Sequence, residues 1–302
     1  MKIENFLINI KDNKVIKEVL NYLSIIEDNR LNEFLLKKLI LKYAALEKKV
    51  SKLNYELLEK QRRLDEDLMA AAEIQQSLLP KEIRHIENIK FSFKFKPSES
   101  IGGDIFNLFP LDKEHLGVYM LDVSGHGIPA ALVSVSVSQM IKPYDFYNPK
   151  ELLTKLDKEY PIERFDKFFT IIYFVLNIYS GDLIYSNAAH PHPVLIRKNG
   201  NLEFLDKGGT VIGMSGIMPF EEETKKLYKG DKLILYTDGV VEYQNKEGKQ
   251  FGDNRFHDLL KQYKEESIDE IITKIYDEIM NFGNEAKLQD DISMLGFEFQ
   301  GG

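Results

Sequence analysis

Leu121-Asp122-Val123-Ser124-Gly125-His126-Gly127-Ile128-Pro129-Ala130-Ala131 is the stretch from which the rest of the chain can be read. An apolar run from His115 to Leu121 leads into it and predicts a strand. Gly-Ile-Pro-Ala-Ala at its end predicts the opening of a helix. Between the two stand a carboxylate, a hydroxyl, an imidazole and two glycines. A strand, an acid, a tight glycine turn and a helix N-terminus together can present backbone groups to a metal or a phosphate.

Working outward, three more acidic positions share this setting. Asp104 follows Gly102-Gly103, Asp238 follows the apolar run Lys232–Tyr236 and precedes Gly239, and Asp290-Asp291 opens the apolar run Ile292–Phe299. A single Asp-Gly is usually only a turn. Four acids at strand ends, with glycines that let backbone approach closely, suit a hard divalent cation. The chain has no Cys and 6 His, which favours Mg²⁺ or Mn²⁺ over Zn²⁺.

The elements around these acids set the fold class. Ile89–Lys96 alternates strictly and predicts a half-buried strand. Phe168–Ile178 turns at Ser180-Gly181 into Leu183-Ile184-Tyr185, a hairpin. Pro193–Arg197 and Leu202–Leu205 flank Asn199-Gly200, a second hairpin. Residues 207–220 read as a Gly-rich loop. Helices are expected after Gly127, over about Lys150–Glu159, Arg255–Lys264 and Ile268–Phe282. Strands in hairpins and helices in separate blocks predict an α+β fold of two packed antiparallel sheets flanked by helices.

The N-terminal part differs. Residues 1–30 look helical with weak patterning. From Leu31 to Leu79 there is neither Gly nor Pro, and Leu39, Tyr43, Leu46, Val50, Leu53 and Leu57 step by alternating fours and threes, a heptad seam. The seam continues through Lys60, Leu64, Asp67, Ala71, Ile74 and Leu78, with charges at two positions. Such a helix is about 70 Å long, too long for one globular domain to bury, so it predicts a homodimer through a coiled coil. Pro80 ends it. The expected organisation is a helical, coiled-coil dimerisation and regulatory segment over 1–82 and a second domain over 83–302.

Composition narrows the function. Hydrophobic residues at 43% allow a packed core. Residues 1–82 are nearly balanced, 15 basic against 14 acidic, whereas the remainder holds 25 against 34. An acidic second domain argues against nucleic acid as its partner. No apolar run approaches the ~20 residues of a membrane span, and no secretory signal is evident, so a cytoplasmic protein with no membrane partner is expected.

Six motifs occur in order: Ala-Glu-Ile-Gln-Gln-Ser-Leu-Leu-Pro (72–80), Ile-Gly-Gly-Asp (101–104), Asp-Val-Ser-Gly-His-Gly-Ile-Pro-Ala-Ala (122–131), Asn-Ala-Ala-His-Pro (187–191), Tyr-Thr-Asp-Gly-Val-Val-Glu (236–242) and Asp-Asp-Ile-Ser (290–293). Over about 72–299 the chain resembles the SpoIIE/RsbU-type bacterial serine phosphatases, in the metal-dependent protein phosphatase 2C-like (PPM) family. That resemblance implies a sandwich of two antiparallel sheets with helices outside. It implies two Mn²⁺ or Mg²⁺ ions bridged by Asp122, one also held by Asp238 and Asp290, the other by Asp104 and the Val123 carbonyl. Asp291 is the alternate for Asp290. The implied reaction is hydrolysis of a phosphoserine or phosphothreonine monoester by a metal-activated water. His126 is either the proton donor to the leaving oxygen or a hydrogen-bonding residue of the turn, and Thr170 and Asn187 are expected to support the sheet ends. The family also implies a phosphorylated anti-anti-sigma-type protein as substrate and control through the N-terminal segment. Ala189, Asn107 and Ser293 stand where the family usually has Gly, Asp and Thr. The alternative is a catalytically silent scaffold of the same fold that binds a partner through the helical arm. The diguanylate cyclase signature fits poorly, because Ile105 follows Asp104 where that family has an acid.

Overall fold

The computed structural model describes residues 29–80, 86–141 and 146–301. The helix expected within residues 1–28 and the boundary expected at 82/83 lie outside them. The chain divides into two compact units between Glu66 and Asp67. Helix α1 spans Asn29–Gln76 without interruption, as the absence of Gly and Pro predicts. Seam residues Leu39, Leu46, Val50, Leu53, Leu57 and Leu64 are all exposed, at 45–64%. Among the described residues no helix is long and apolar enough to cross a membrane.

The second unit is built on two sheets. The first has five strands in the order β1-β11-β10-β6-β7: β1 is Ile89–Lys96, β6 Val194–Ile196, β7 Leu202–Phe204, β10 Lys232–Tyr236 and β11 Ile292–Phe299. The second runs β2-β3-β4-β5-β8: β2 is Ile105–Pro110, β3 His115–Val123, β4 Phe169–Asn177, β5 Asp182–Ala188 and β8 Gly208–Gly209. All pairings are antiparallel except β5 with β8. Two strands were not anticipated. Strand β9, Glu223–Lys226, adds to the outer edge of β5, although its charged Glu-Thr-Lys-Lys sequence carries no strand signal. The stretch expected to be a loop contributes β8 and an Ile212–Phe169 bridge.

Apolar residues fill the space between the sheets. Phe93 and Phe95 of β1 meet Phe106 of β2 edge-on at 5.4 and 6.3 Å, and Phe174 of β4 meets Phe297 of β11 at 5.8 Å. Helices α2 (Ile128–Ile141) and α3 (Pro149–Glu159) cover the second sheet. After the short α4 (Ile162–Phe165) and α5 (Asp238–Glu242), helices α6 (Asp253–Gln262) and α7 (Ile268–Gly283) complete the set. Helix α7 covers the first sheet, burying Ile268, Ile271, Ile272, Ile275 and Ile279 at helical spacing. Its start is fixed by a capping box in which Ser267 and Glu270 exchange side-chain and backbone hydrogen bonds. The result is the predicted sandwich of two sheets with helices outside.

Candidate metal centre

Strand register brings the acids together. In the β2–β3 ladder Ile105 faces Leu121, so one step further Asp104 faces Asp122. In the β10–β11 ladder Tyr236 faces Met294, and the Thr237 N–H continues the pairing to the Ser293 carbonyl at 3.1 Å. Asp238 and Asp290-Asp291 therefore emerge together from the first sheet, opposite Asp104 and Asp122 of the second.

Hydroxyls and one carboxylate stitch the two pairs across the sandwich. Asp104 Oδ2 accepts hydrogen bonds from Thr237 Oγ1 at 2.8 Å and Ser293 Oγ at 2.6 Å. The Ser that replaces the family's usual Thr thus keeps the one group this contact needs. Asp291, 2% exposed, accepts from the Ser98 N–H and Oγ through Oδ1 and from the Asp104 N–H through Oδ2. Two glycines permit this closeness: a Cβ on Gly102 would stand 2.0 Å from Asp291 Oδ2, and one on Gly239 2.0 Å from the Asp291 carbonyl oxygen.

The electrostatics are those of carboxylates withdrawn from water beside one another. Burial, Asp122 and Asp291 push Asp104 well above the usual carboxylate range, against the two hydroxyl hydrogen bonds. Burial and then Asp238, Asp290 and Asp291 push Asp122 up to about 8, opposed by a hydrogen bond with Asp104. Asp238 is raised by burial and then by Glu242. Asp290, the most exposed of the four, is raised by lost hydration and by Asp238 and Asp291, offset by the Asp291 N–H and by His126. A divalent cation relieves this repulsion, so the donor set fits a hard metal. Among the described residues no group of three or more His, Asp or Glu is gathered to hold a metal ion. Mg²⁺ needs fewer, since it commonly takes one or two carboxylates and keeps several waters.

The remaining expected residues are placed as follows. Val123 is the last residue of β3, and its carbonyl faces Gly103, where a Cβ would come within 2.9 Å. Between β3 and α2, Gly125 and Gly127 adopt φ of +79° and +76°. His126 between them is largely exposed, with Nδ1 3.1 Å from Glu99 Oε1. Thr170 and Asn187 do support the sheet ends. Thr170 Oγ1 lies 2.8 Å from Nδ1 of buried His190, while Asn187 accepts from the His190 N–H at 2.7 Å and donates to the His190 carbonyl at 3.0 Å. Burial drives the His190 imidazole down to about 3, so it is neutral. Ala189 has φ +53°, the left-handed conformation that explains the family's glycine there. Asn107 donates to the Leu78 carbonyl beyond α1, a bond that the family's Asp could not donate.

Sequence reading missed Gln75. It is 3% exposed, its Nε2 donates to the Gly102 carbonyl at 2.7 Å, and the Gly102 N–H returns to its Oε1 at 3.2 Å. The end of α1 is thereby tied to the turn that carries Asp104. Its place in the 72–80 motif was the available signal.

Comparisons with known proteins agree with this architecture. The SpoIIE family (Stage II sporulation protein E) matches residues 112–300. Phosphoserine phosphatase RsbU of Bacillus subtilis is 26% identical over 240 residues, 78% of this chain and 70% of that protein. Phosphoserine phosphatase RsbP of the same organism is 26% identical over 183 residues, 58% and 45% respectively. The PP2C domain of SiaA from Pseudomonas aeruginosa superposes with a TM-score of 0.69 at 20% identity, over 80% of this chain and 99% of that one. A crystal structure of RsbX in complex with magnesium gives 0.57 at 15% identity, over 72% and 99%. With a family match over more than half its length, and with the sandwich and strand-end acids its motifs led one to expect, the chain belongs to the SpoIIE family and has the fold of the SpoIIE/RsbU-type PPM phosphatases.

Proposed function

We propose that this chain is a metal-dependent protein phosphatase that hydrolyses a phosphoserine or phosphothreonine on a regulatory protein. The observation that carries this reading is that strand register sets Asp104 beside Asp122 at the ends of β2 and β3, and Asp238 beside Asp290-Asp291 at the ends of β10 and β11, with Thr237 and Ser293 bonding one pair to the other. In this reading two Mn²⁺ or Mg²⁺ ions would be held here, with Asp122 serving both, Asp238 and Asp290 serving one, and Asp104 with the Val123 carbonyl serving the other. Bound there, the ions supply Lewis acidity that activates water and offsets charge developing on the phosphoryl group.

The chain's own residues prepare that site. Thr237 and Ser293 fix one oxygen of Asp104, which leaves the other for a ligand. The Asp291 carboxylate is engaged by Ser98 and the Asp104 N–H, which supports Asp290 as the ligand of the adjacent pair. Glu99 orients His126 through Nδ1. His126 Nε2 is then the nitrogen left to protonate a leaving serine oxygen.

Residues 1–82 form the dimerisation and regulatory segment of the proposal, and the exposed seam of α1 supports a parallel homodimer. Gln75 gives that segment a direct bond to the turn before Asp104. The relatives RsbU and RsbP are phosphoserine phosphatases, which supports a phosphoserine protein as substrate; the substrate of the proposal is an anti-anti-sigma-type protein met in the cytoplasm. The intact acidic group does not favour the silent-scaffold reading.

The test is Mn²⁺-dependent hydrolysis of a phosphate-monoester dye and of a phosphoserine protein. Asp122→Asn and Asp238→Asn should each reduce turnover by at least about 10²-fold. A wild-type protein with no metal-dependent turnover on either substrate would sink the enzyme reading. Light scattering that finds only monomer at micromolar concentration would sink the dimer.

A further inference from the structure

The segment that joins α4 to β4 brings a cation to this site that neither the motifs nor the proposed metal ligands account for. Asp166 ends α4 in the left-handed conformation, φ +50°. The next residues are held beside the acid-bearing turn: the Ser124 N–H donates to the Phe168 carbonyl at 2.9 Å, and the Phe168 N–H returns to Ser124 Oγ at 3.2 Å. These bonds set Lys167 against Gly125. A Cβ built on Gly125 would stand 3.0 Å from Lys167 Nζ, so the ammonium lies over the turn between Asp122 and α2. Gly125 needs to be glycine for its positive φ, and its missing side chain also leaves room for this cation.

Lys167 is half-buried. Among the described residues it makes no ion pair or hydrogen bond, although Glu163 and Asp166 are its sequence neighbours and Asp122 stands three residues before Gly125. A lysine packs its methylene stem against the surface and keeps its charged head available to solvent or to a ligand. Its freedom has a use in charge balance. The four carboxylates proposed as ligands and two divalent ions sum to zero and Asp291 beside them adds a negative charge, which leaves nothing to attract a phosphate dianion beyond the ions' open positions. A positive charge over the turn after Asp122 supplies that attraction and marks where a non-bridging oxygen is received.

We propose that Lys167 is a phosphate-positioning residue, whose ammonium receives a non-bridging oxygen of the substrate's phosphoryl group and of the inorganic phosphate product. The proposal rests on the phosphatase reading, and it names a residue of that site outside the acidic motifs. Neither bond making nor bond breaking is assigned to Lys167.

Inorganic phosphate is the probe. Its binding to the Mn²⁺-loaded full-length protein is measured by calorimetry, and its competitive inhibition of turnover separately. Lys167→Ala should weaken phosphate binding and raise KM for a phosphoserine protein by about tenfold, and should flatten the salt dependence of phosphate binding. Lys167→Arg should recover most of both. Mn²⁺ affinity and thermal stability should stay within about twofold and about 2 °C of wild type. Unchanged phosphate binding in Lys167→Ala overturns the proposal, as does a loss of Mn²⁺ affinity equal to the loss of phosphate affinity, because Lys167 would then act through the metal ligands. A wild type without turnover refutes the phosphatase reading, while calorimetric phosphate binding still decides the role of Lys167.

Discussion

Replacing Gln75 by Met tests the link between α1 and the acidic turn. Met keeps the volume and the helix propensity of Gln, so the change removes little besides hydrogen bonds. It deletes the donor to the Gly102 carbonyl at 2.7 Å, the acceptor of the Gly102 N–H at 3.2 Å and a weaker contact to Ser134 Oγ at 3.4 Å. Gly102 is itself buried, so both of its backbone groups are left without a partner, at about 1–3 kcal/mol each. Allowing for partial relaxation, the expected destabilisation is about 2–4 kcal/mol. At about 2–4 °C per kcal/mol this lowers Tm by roughly 5–15 °C. The chain has no Trp, so unfolding is followed by far-UV circular dichroism in heat and in urea. Gln75→Glu should be at least as damaging, since it keeps the acceptor and turns a carboxylate oxygen toward the Gly102 carbonyl. Because Gly102 lies two residues before Asp104, apparent Mn²⁺ affinity should fall in both variants. A Gln75→Met protein within about 0.5 kcal/mol of wild type would refute the reasoning.

Two further outcomes follow from the site. Asp122 has a folded-state pKa of about 8 without metal, above the ordinary carboxylate value of about 3.9. The folded chain therefore holds the proton more tightly than the unfolded one, a stabilisation complete below about pH 4 and lost as pH rises through 8. In chelator, wild-type Tm should fall relative to Asp122→Asn between pH 5 and 8.5, and the Tm gain on adding Mn²⁺ should grow over that range; a wild-type Tm that rises relative to Asp122→Asn would contradict it. Ala189 sits at φ +53° with its side chain exposed, so Ala189→Gly relieves about 1–2 kcal/mol of left-handed strain without opening a cavity. The extra unfolded-state entropy of Gly takes back about 0.5–1 kcal/mol, and the expected net stabilisation of about 0.5–1 kcal/mol would be contradicted by a lower urea midpoint.

Much of this protein is local in origin and was legible as such. The alternation of Ile89–Lys96, the Asn199-Gly200 turn and the unbroken helical run after Leu31 depend on near neighbours along the chain, and the strands and helices fall where those patterns place them. Strand β9 was not legible because an edge strand of charged residues is made by its neighbour β5 rather than by its own pattern. The same holds for β8, whose Gly208 needs the Asn187 backbone beside it.

The candidate site divides in the same way. Residue types and spacing alone determined which acids to suspect, since Gly-Gly-Asp, Asp-Val-Ser-Gly and Thr-Asp-Gly are short motifs whose chemistry is carried by adjacent residues. Tertiary structure decided what each acid does with its oxygens. Only strand register sets Asp104 opposite Asp122 and Asp238 beside Asp290-Asp291. Only the closing of one sheet on the other brings Asp291 to the Asp104 N–H, only the β1–β11 and β3–β4 pairings bring Ser98 to Asp291 and Lys167 to Gly125, and only the packing of the end of α1 brings Gln75 to Gly102. Those contacts join residues far apart in the chain, and no local periodicity records a partner that only packing supplies.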